Sequence, residues 1–108
     1  MILDWENDKE FALANGIEER SSLNKYEIIF GGMEYLVEYT LAISRTYNGI
    51  TFKNFPTLSI RGGAYKNCMF DSCTKLEIMS CELNNCTLNK SKYILKRSSR
   101  LFKCNINN

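Results

Sequence analysis

Two five-residue units stand back to back in the second half of the chain, Cys81-Glu-Leu83-Asn-Asn and Cys86-Thr-Leu88-Asn-Lys. Leu76-Glu-Ile78-Met-Ser precedes them in register and Ser91-Lys-Tyr93-Ile-Leu follows. Cys68-Met-Phe70-Asp-Ser and Cys104-Asn-Ile106-Asn-Asn share the form out of register, and Ile50-Thr-Phe52-Lys-Asn is a looser match. In most of them a small residue lies two places before a large apolar one, Leu76 and Ile50 taking that place in the other two. In an extended chain both then point to the same side, and the polar residue between them faces away. The large residue fills a core, and the small one points inward where a large side chain would not fit. A unit this short buries its apolar face only against neighbouring copies, and about three coils are needed before such a stack is stable.

This pattern resembles the pentapeptide-repeat family, whose unit is a small residue, a polar one, a central Leu or Phe and two variable polar positions. The resemblance spans residues 64–108. It implies a right-handed β-helix of roughly square section, each unit forming one side and about four units a coil. The frame breaks between 72 and 76 and again over 96–103, and Cys73, followed by Lys75, stands outside the pattern. The region before it must supply further coils or a capping sheet. An antiparallel sandwich or meander is the competing architecture.

The first part of the chain reads differently. Asp4 is placed to cap a helix over 5–14, with Glu6, Asp8 and Glu10 near its positive end and Asn15-Gly16 as its stop. Lys25–Phe30, Gly31-Gly32 and residues 33–43 read as a hairpin, because the second arm is β-branched and aromatic. A helix over 33–44 competes, since Tyr35, Tyr39 and Ile43 also keep helical spacing. Asn48-Gly49 signals a type I′ hairpin joining strands near 43–47 and 50–55; Pro56 ends that run or makes it an edge, Thr57–Arg61 is another strand and Gly62-Gly63 another turn. The expected class is mainly β (α+β) in one domain. It comprises a helix and acidic segment over 1–23, hairpins over 24–61, and a short, irregular, right-handed solenoid-like half over 62–108.

The chain contains no histidine, which removes Ser-His-Asp and Cys-His constellations, His metal ligands and the usual general base. Its five cysteines are odd in number and follow no charged start with an apolar stretch, so reduced thiols in a cytoplasm are expected. Cys68, Cys73, Cys81 and Cys86 give C-x4-C-x7-C-x4-C, whose gaps are at the limit for a zinc site and lack a Gly knuckle. The same spacing is what stacked inward cysteines require. No catalytic group, cofactor or metal is expected, and no apolar run is long enough to cross a membrane.

Charge is divided along the chain. Residues 1–40 carry nine acids against three bases, and residues 41–108 eleven bases against three acids. After Glu82 come Lys90, Lys92, Lys96, Arg97, Arg100 and Lys103 with no counter-charge, and Tyr93 and Phe102 lie among them. This stretch can meet an acidic protein face, a phosphate backbone or the chain's own acidic half. An opposite, acidic and aromatic face is expected at Glu34, Tyr35, Glu38 and Tyr39, residue types suited to a basic partner. The expected function is non-catalytic binding, inhibiting another protein by covering its surface. Small size, Lys/Asn/Ile richness and divided charge resemble small proteins of mobile elements, including phage inhibitors of bacterial defence (anti-CRISPR type) and toxin-immunity proteins. A nucleic-acid-binding module using residues 90–103 is the alternative. The family resemblance adds DNA imitation, which would need a continuous acidic surface. A homodimer through the C-terminal coil is a further expectation, because an open solenoid end is an unpaired edge.

Overall fold

A computed structural model of the chain describes residues 1–22, 25–31 and 45–107. In chain order the elements are β1 (Ile2–Asp4), α1 (Lys9–Ala14), β2 (Ile17–Ser22), β3 (Lys25–Phe30), β4 (Thr46–Asn48), β5 (Thr51–Lys53), β6 (Leu58–Arg61) and β7 (Ala64–Lys66). They continue as β8 (Met69–Asp71), β9 (Leu76–Met79), β10 (Glu82–Asn84), β11 (Thr87–Asn89), β12 (Tyr93–Lys96), β13 (Arg100–Phe102) and β14 (Asn105–Asn107).

Most strands are three residues long with a large apolar residue in the middle, such as Phe52, Phe70 and Leu88, each 0% exposed. A strand that short places one side chain inward and two outward. It becomes stable only by stacking, and the strands form three sheets ordered β1-β5-β8-β11-β14, β13-β10-β7-β4 and β12-β9-β6-β3-β2. All the pairings from β4 onward are parallel and in register: Phe52 lies on Phe70, Phe70 on Leu88, and Leu88 on Ile106. The result is a β-solenoid of about 3 turns, mostly strand, with a single short helix among the described residues.

The coil is three-sided. It repeats every 18 residues, as Met69 pairing with Thr87 shows, with two sides built on a three-residue strand and one on a four-residue strand. The expected square coil of four equal units is thereby corrected. The long side explains the breaks in the five-residue frame: Cys73 begins a side of eight residues, Cys73–Ser80, and its inward neighbours are Leu76 and Ile78. The core is therefore four columns of side chains: Leu3, Phe52, Phe70, Leu88; Tyr47, Tyr65, Leu83, Leu101; Ile28, Leu58, Leu76, Tyr93; and Phe30, Ile60, Ile78, Leu95. Phe52 and Phe70 stack face to face at 4.8 Å and 4°.

Corners are turned by residues with positive φ that recur with the coil: Gly49, Asn67, Asn85 and Lys103 at one, Asn54, Ser72 and Lys90 at the next, Gly62, Ser80 and Ser98 at the third. Asn tolerates this left-handed region better than most residues. It also bonds along the stack, Asn85 Nδ2 donating to Asn67 Oδ1 at 2.6 Å and Asn67 Nδ2 to Asn48 Oδ1 at 3.2 Å. Here the Asn48-Gly49 expectation is corrected. A type I′ turn needs φ > 0 at both residues, whereas only Gly49 (+69°) has it. β4 and β5 consequently diverge into different sheets instead of pairing.

An antiparallel hairpin joins β2 to β3, with Ile17 opposite Phe30 and Ser22 opposite Lys25. Ile28–Phe30 also pairs in parallel with Leu58–Ile60. Residues 33–43, the expected second arm of a hairpin with 25–30, lie outside the described residues. The helix is shorter than expected. Asp8 caps it, accepting from Phe11 N at 3.3 Å, and Asn15 ends it. Asp4 instead accepts from the backbone N–H of Glu6 and Asn7, both at 3.1 Å, and from Asn54 Nδ2 at 3.0 Å. Burial pushes the Asp4 carboxyl up, but its Asn7 and Asn54 side-chain donors and the two backbone donors outweigh that and hold it at about 2. α1 packs over β1 and β2, putting Ala12 and Ile17 in the core and closing the N-terminal end of the solenoid.

Candidate binding surface

The cysteines stand at the corners of the coil, where the interior's only thiols lie. Cys68, Cys86 and Cys104 occupy one corner at the coil spacing, Cys73 shares a second with Ser91, and Cys81 shares the third with Ser99. The four-cysteine set of a zinc centre is thus divided among three corners. Among the described residues, no three His, Cys, Asp or Glu side chains are grouped as metal ligands. Each corner thiol reaches two backbone carbonyls, one two residues back and one 21 residues back. Cys86 Sγ donates to Asn84 O at 3.5 Å and Tyr65 O at 3.3 Å, and Cys81 Sγ to Met79 O at 2.9 Å and Ile60 O at 3.3 Å. Ser91 Oγ repeats the pattern with Asn89 O and Phe70 O, both at 3.0 Å. Cys and Ser thus share these sites as small donors that tie each coil to the one before, a role beyond filling space.

Burial pushes the Cys73 thiol up to about 11 and Cys81 to about 12. Cys86 is also pushed up, by its bond to the Cys68 thiol and by burial. Thiolates are the reactive form, so these sites are inert in the folded protein. Cys104, in the last coil, is the one cysteine that is not buried. A thiol reagent applied to native protein at about pH 8 is expected to modify Cys104 within minutes and Cys73, Cys81 and Cys86 only on unfolding, read by mass spectrometry of the peptides. Rapid modification of Cys81 or Cys86 would contradict the stacked corners.

The exterior offers two features. On the outer face of β6, β9 and β12, Glu77 is only 9% exposed; it accepts from Ser59 Oγ at 3.1 Å and pairs with Lys96 at 3.3 Å and Lys75 at 3.7 Å. Burial pushes its carboxyl up, and the Ser59 bond and the two lysines outweigh that, leaving it below the usual range. Arg61 and Glu27 line the same cleft, 3.8 Å apart, so each of its two acids has a basic partner there.

The second feature is the open C-terminal end. β12, β13 and β14 are the last strands of their sheets. Their inward side chains have neighbours on one side only: Leu95 is 43% exposed and Ile106 42%, where Ile78 and Leu88 one coil earlier are 0% exposed. Lys90 sits at the corner before β12, Arg97 at the corner before β13 and Lys103 at the corner before β14. Lys92 leads into β12, Lys96 ends it and Arg100 opens β13. The six bases of residues 90–103 therefore form a ring around an apolar platform, not a line. β12 lies 17 residues from β9, and the residue is regained where Arg97 and Ser98 are both left-handed. Among the described residues only Lys96 of the six makes an ion pair, with Glu77.

No family model, curated protein or solved structure matches this chain. Glu34, Tyr35, Glu38 and Tyr39, the expected acidic and aromatic face, lie outside the described residues. The open apolar end at Ile106 was expected from the sequence as an unpaired edge, but Leu95 was not, because Tyr93 took the core place of its five-residue unit and Leu95 fell at a variable position. The signal that could have found it is the 18-residue recurrence of Cys68, Cys86 and Cys104, which places 90–103 on the final coil. Among the described residues no helix is long and apolar enough to cross a membrane.

Proposed function

We propose that this protein works by contact, its open C-terminal end seating on an acidic protein surface and covering it. The observation that carries this reading is the pairing of half-exposed core residues, Leu95 and Ile106, with a surround of six bases. Apolar anchors inside a polar rim are the usual anatomy of a protein interface, and the rim charge selects and steers an oppositely charged partner. The compositional resemblance to phage anti-defence (anti-CRISPR type) inhibitors and toxin-immunity proteins supports a cytoplasmic bacterial enzyme as the covered partner, with no catalysis by this chain.

The nucleic-acid reading has less support. A single phosphate backbone tracks along a groove, whereas these bases are spread over all three sides of the last coil, so few can engage one strand together. DNA imitation has less again, since residues 41–108 carry eleven bases and three acids. The test uses the folded double variant Arg97→Gln/Arg100→Gln beside the wild type. The wild type is expected to recover a stoichiometric protein partner from its native host, the variant to lose it, and neither to shift generic DNA or RNA in a gel at about 50 mM salt. A salt-sensitive gel shift lost in the variant would replace this reading with the nucleic-acid one.

A further inference from the structure

The two ends of the solenoid carry opposite charge. At the C-terminal end are six bases and no acid; at the N-terminal end, residues 1–22 carry six carboxylates against two bases. Both of those bases are already engaged, Lys9 with Glu19 at 3.4 Å and Arg20 with Glu18 at 3.4 Å. The strand order fixes that these groups lie at opposite ends, because β1 and β14 are the first and last strands of one sheet. The N-terminal end also exposes apolar side chains, Phe11 (42%) and Leu13 (44%) on α1 and Ile2 (60%) on β1. Glu6, Asp8 and Glu10 around them are exposed.

We infer that the open end takes the acidic N-terminal cap of a second copy of this chain, so that the protein stacks head to tail. The inference rests on reading the open end as a binding surface, and it names one occupant for it. Charge decides the geometry. Two C-terminal ends meeting about a two-fold axis would oppose one ring of bases with the same ring, whereas cap against ring opposes acids with bases. Apolar groups meet in either arrangement, so only the electrostatic part separates them. Each stacked copy presents a fresh open end, so the contact is heterologous and generates a series of sizes instead of closing at a dimer.

Sedimentation velocity on the full chain, from about 10 μM to about 1 mM, tests this. Species larger than dimer are expected to grow with concentration, and the association to weaken about tenfold or more between 50 and 500 mM salt, as screening removes an attraction. Association that strengthens with salt, or stops at dimer, indicates the two-fold arrangement and overturns the inference, as does a monomer throughout. Two variants, each checked for native circular dichroism, add a complementation test. Glu6→Lys/Glu10→Lys loses the cap and Arg97→Gln/Arg100→Gln weakens the ring. Each by itself is expected to be monomeric, and an equimolar mixture to give one-to-one dimers and nothing larger. An unchanged Glu6→Lys/Glu10→Lys variant overturns the inference. Cys104 supplies a second readout, its modification slowing as wild-type concentration rises. The partner-binding reading is scored separately, because the monomeric Glu6→Lys/Glu10→Lys variant keeps its open end and must still bind a foreign partner if that reading holds.

Discussion

Replacing Phe70 with alanine is expected to reduce the free energy of unfolding by about 3–5 kcal/mol, measured by urea titration with tryptophan fluorescence and circular dichroism. Phe70 is 0% exposed, stacks on Phe52 at 4.8 Å, and bears on Leu88 in the next coil. Removing the ring costs its transfer out of water and leaves a void between coils that parallel strands in fixed register cannot close. Against a total stability of about 5–15 kcal/mol for a domain this size, that change brings the molecule near unfolding at room temperature. Met69→Ala next to it, on a side chain 39% exposed, is the control and is expected to stay within about 0.5 kcal/mol. A Phe70→Ala cost below about 1 kcal/mol would mean that the aromatic column is not the core.

Gly63→Ala carries the second large effect, about 2–4 kcal/mol by the same titration. Gly63 has φ of +85°, and a Cβ there would lie 2.5 Å from the Arg45 carbonyl oxygen. That oxygen accepts the Ala64 N–H at 2.8 Å, so it cannot retreat without breaking the bond that starts β7. Gly62 separates the two components of the cost: its φ is +70° and nothing lies within 4 Å of a Cβ. Gly62→Ala therefore carries only the conformational part, about 1 kcal/mol. Equal losses at the two glycines would remove the steric argument.

These substitutions also mark what the chain disclosed beforehand. The inward roles of Phe70, Leu83 and Leu88 were legible, because a small residue two places before a large one is a local pattern. The number of sides was not, because it depends on a period longer than any five-residue window. Cys73 looked irregular only because its side is longer, and Asn48-Gly49 looked like a hairpin because a solenoid corner and a hairpin turn both draw on residues that accept positive φ. The second partner of each thiol, a carbonyl 21 residues back, has no local signature. The bases at 90–103 were visible as a run, but folding them around three corners turns a linear charge into a ring, and that step needs the coil length.

Coils of 18 residues stacked in register have a consequence for how such a molecule changes size. An insertion or deletion of one or a few residues shifts the following side chains off their columns unless a corner regains it, as Arg97 and Ser98 do, whereas a duplication of 18 residues adds a whole storey and leaves the rest in place. Growth by duplication would move the ring and the cap apart by about 4.8 Å per step without altering either. Height is then a quantised trait, set by copy number and free of the sequences that govern what each terminus recognises.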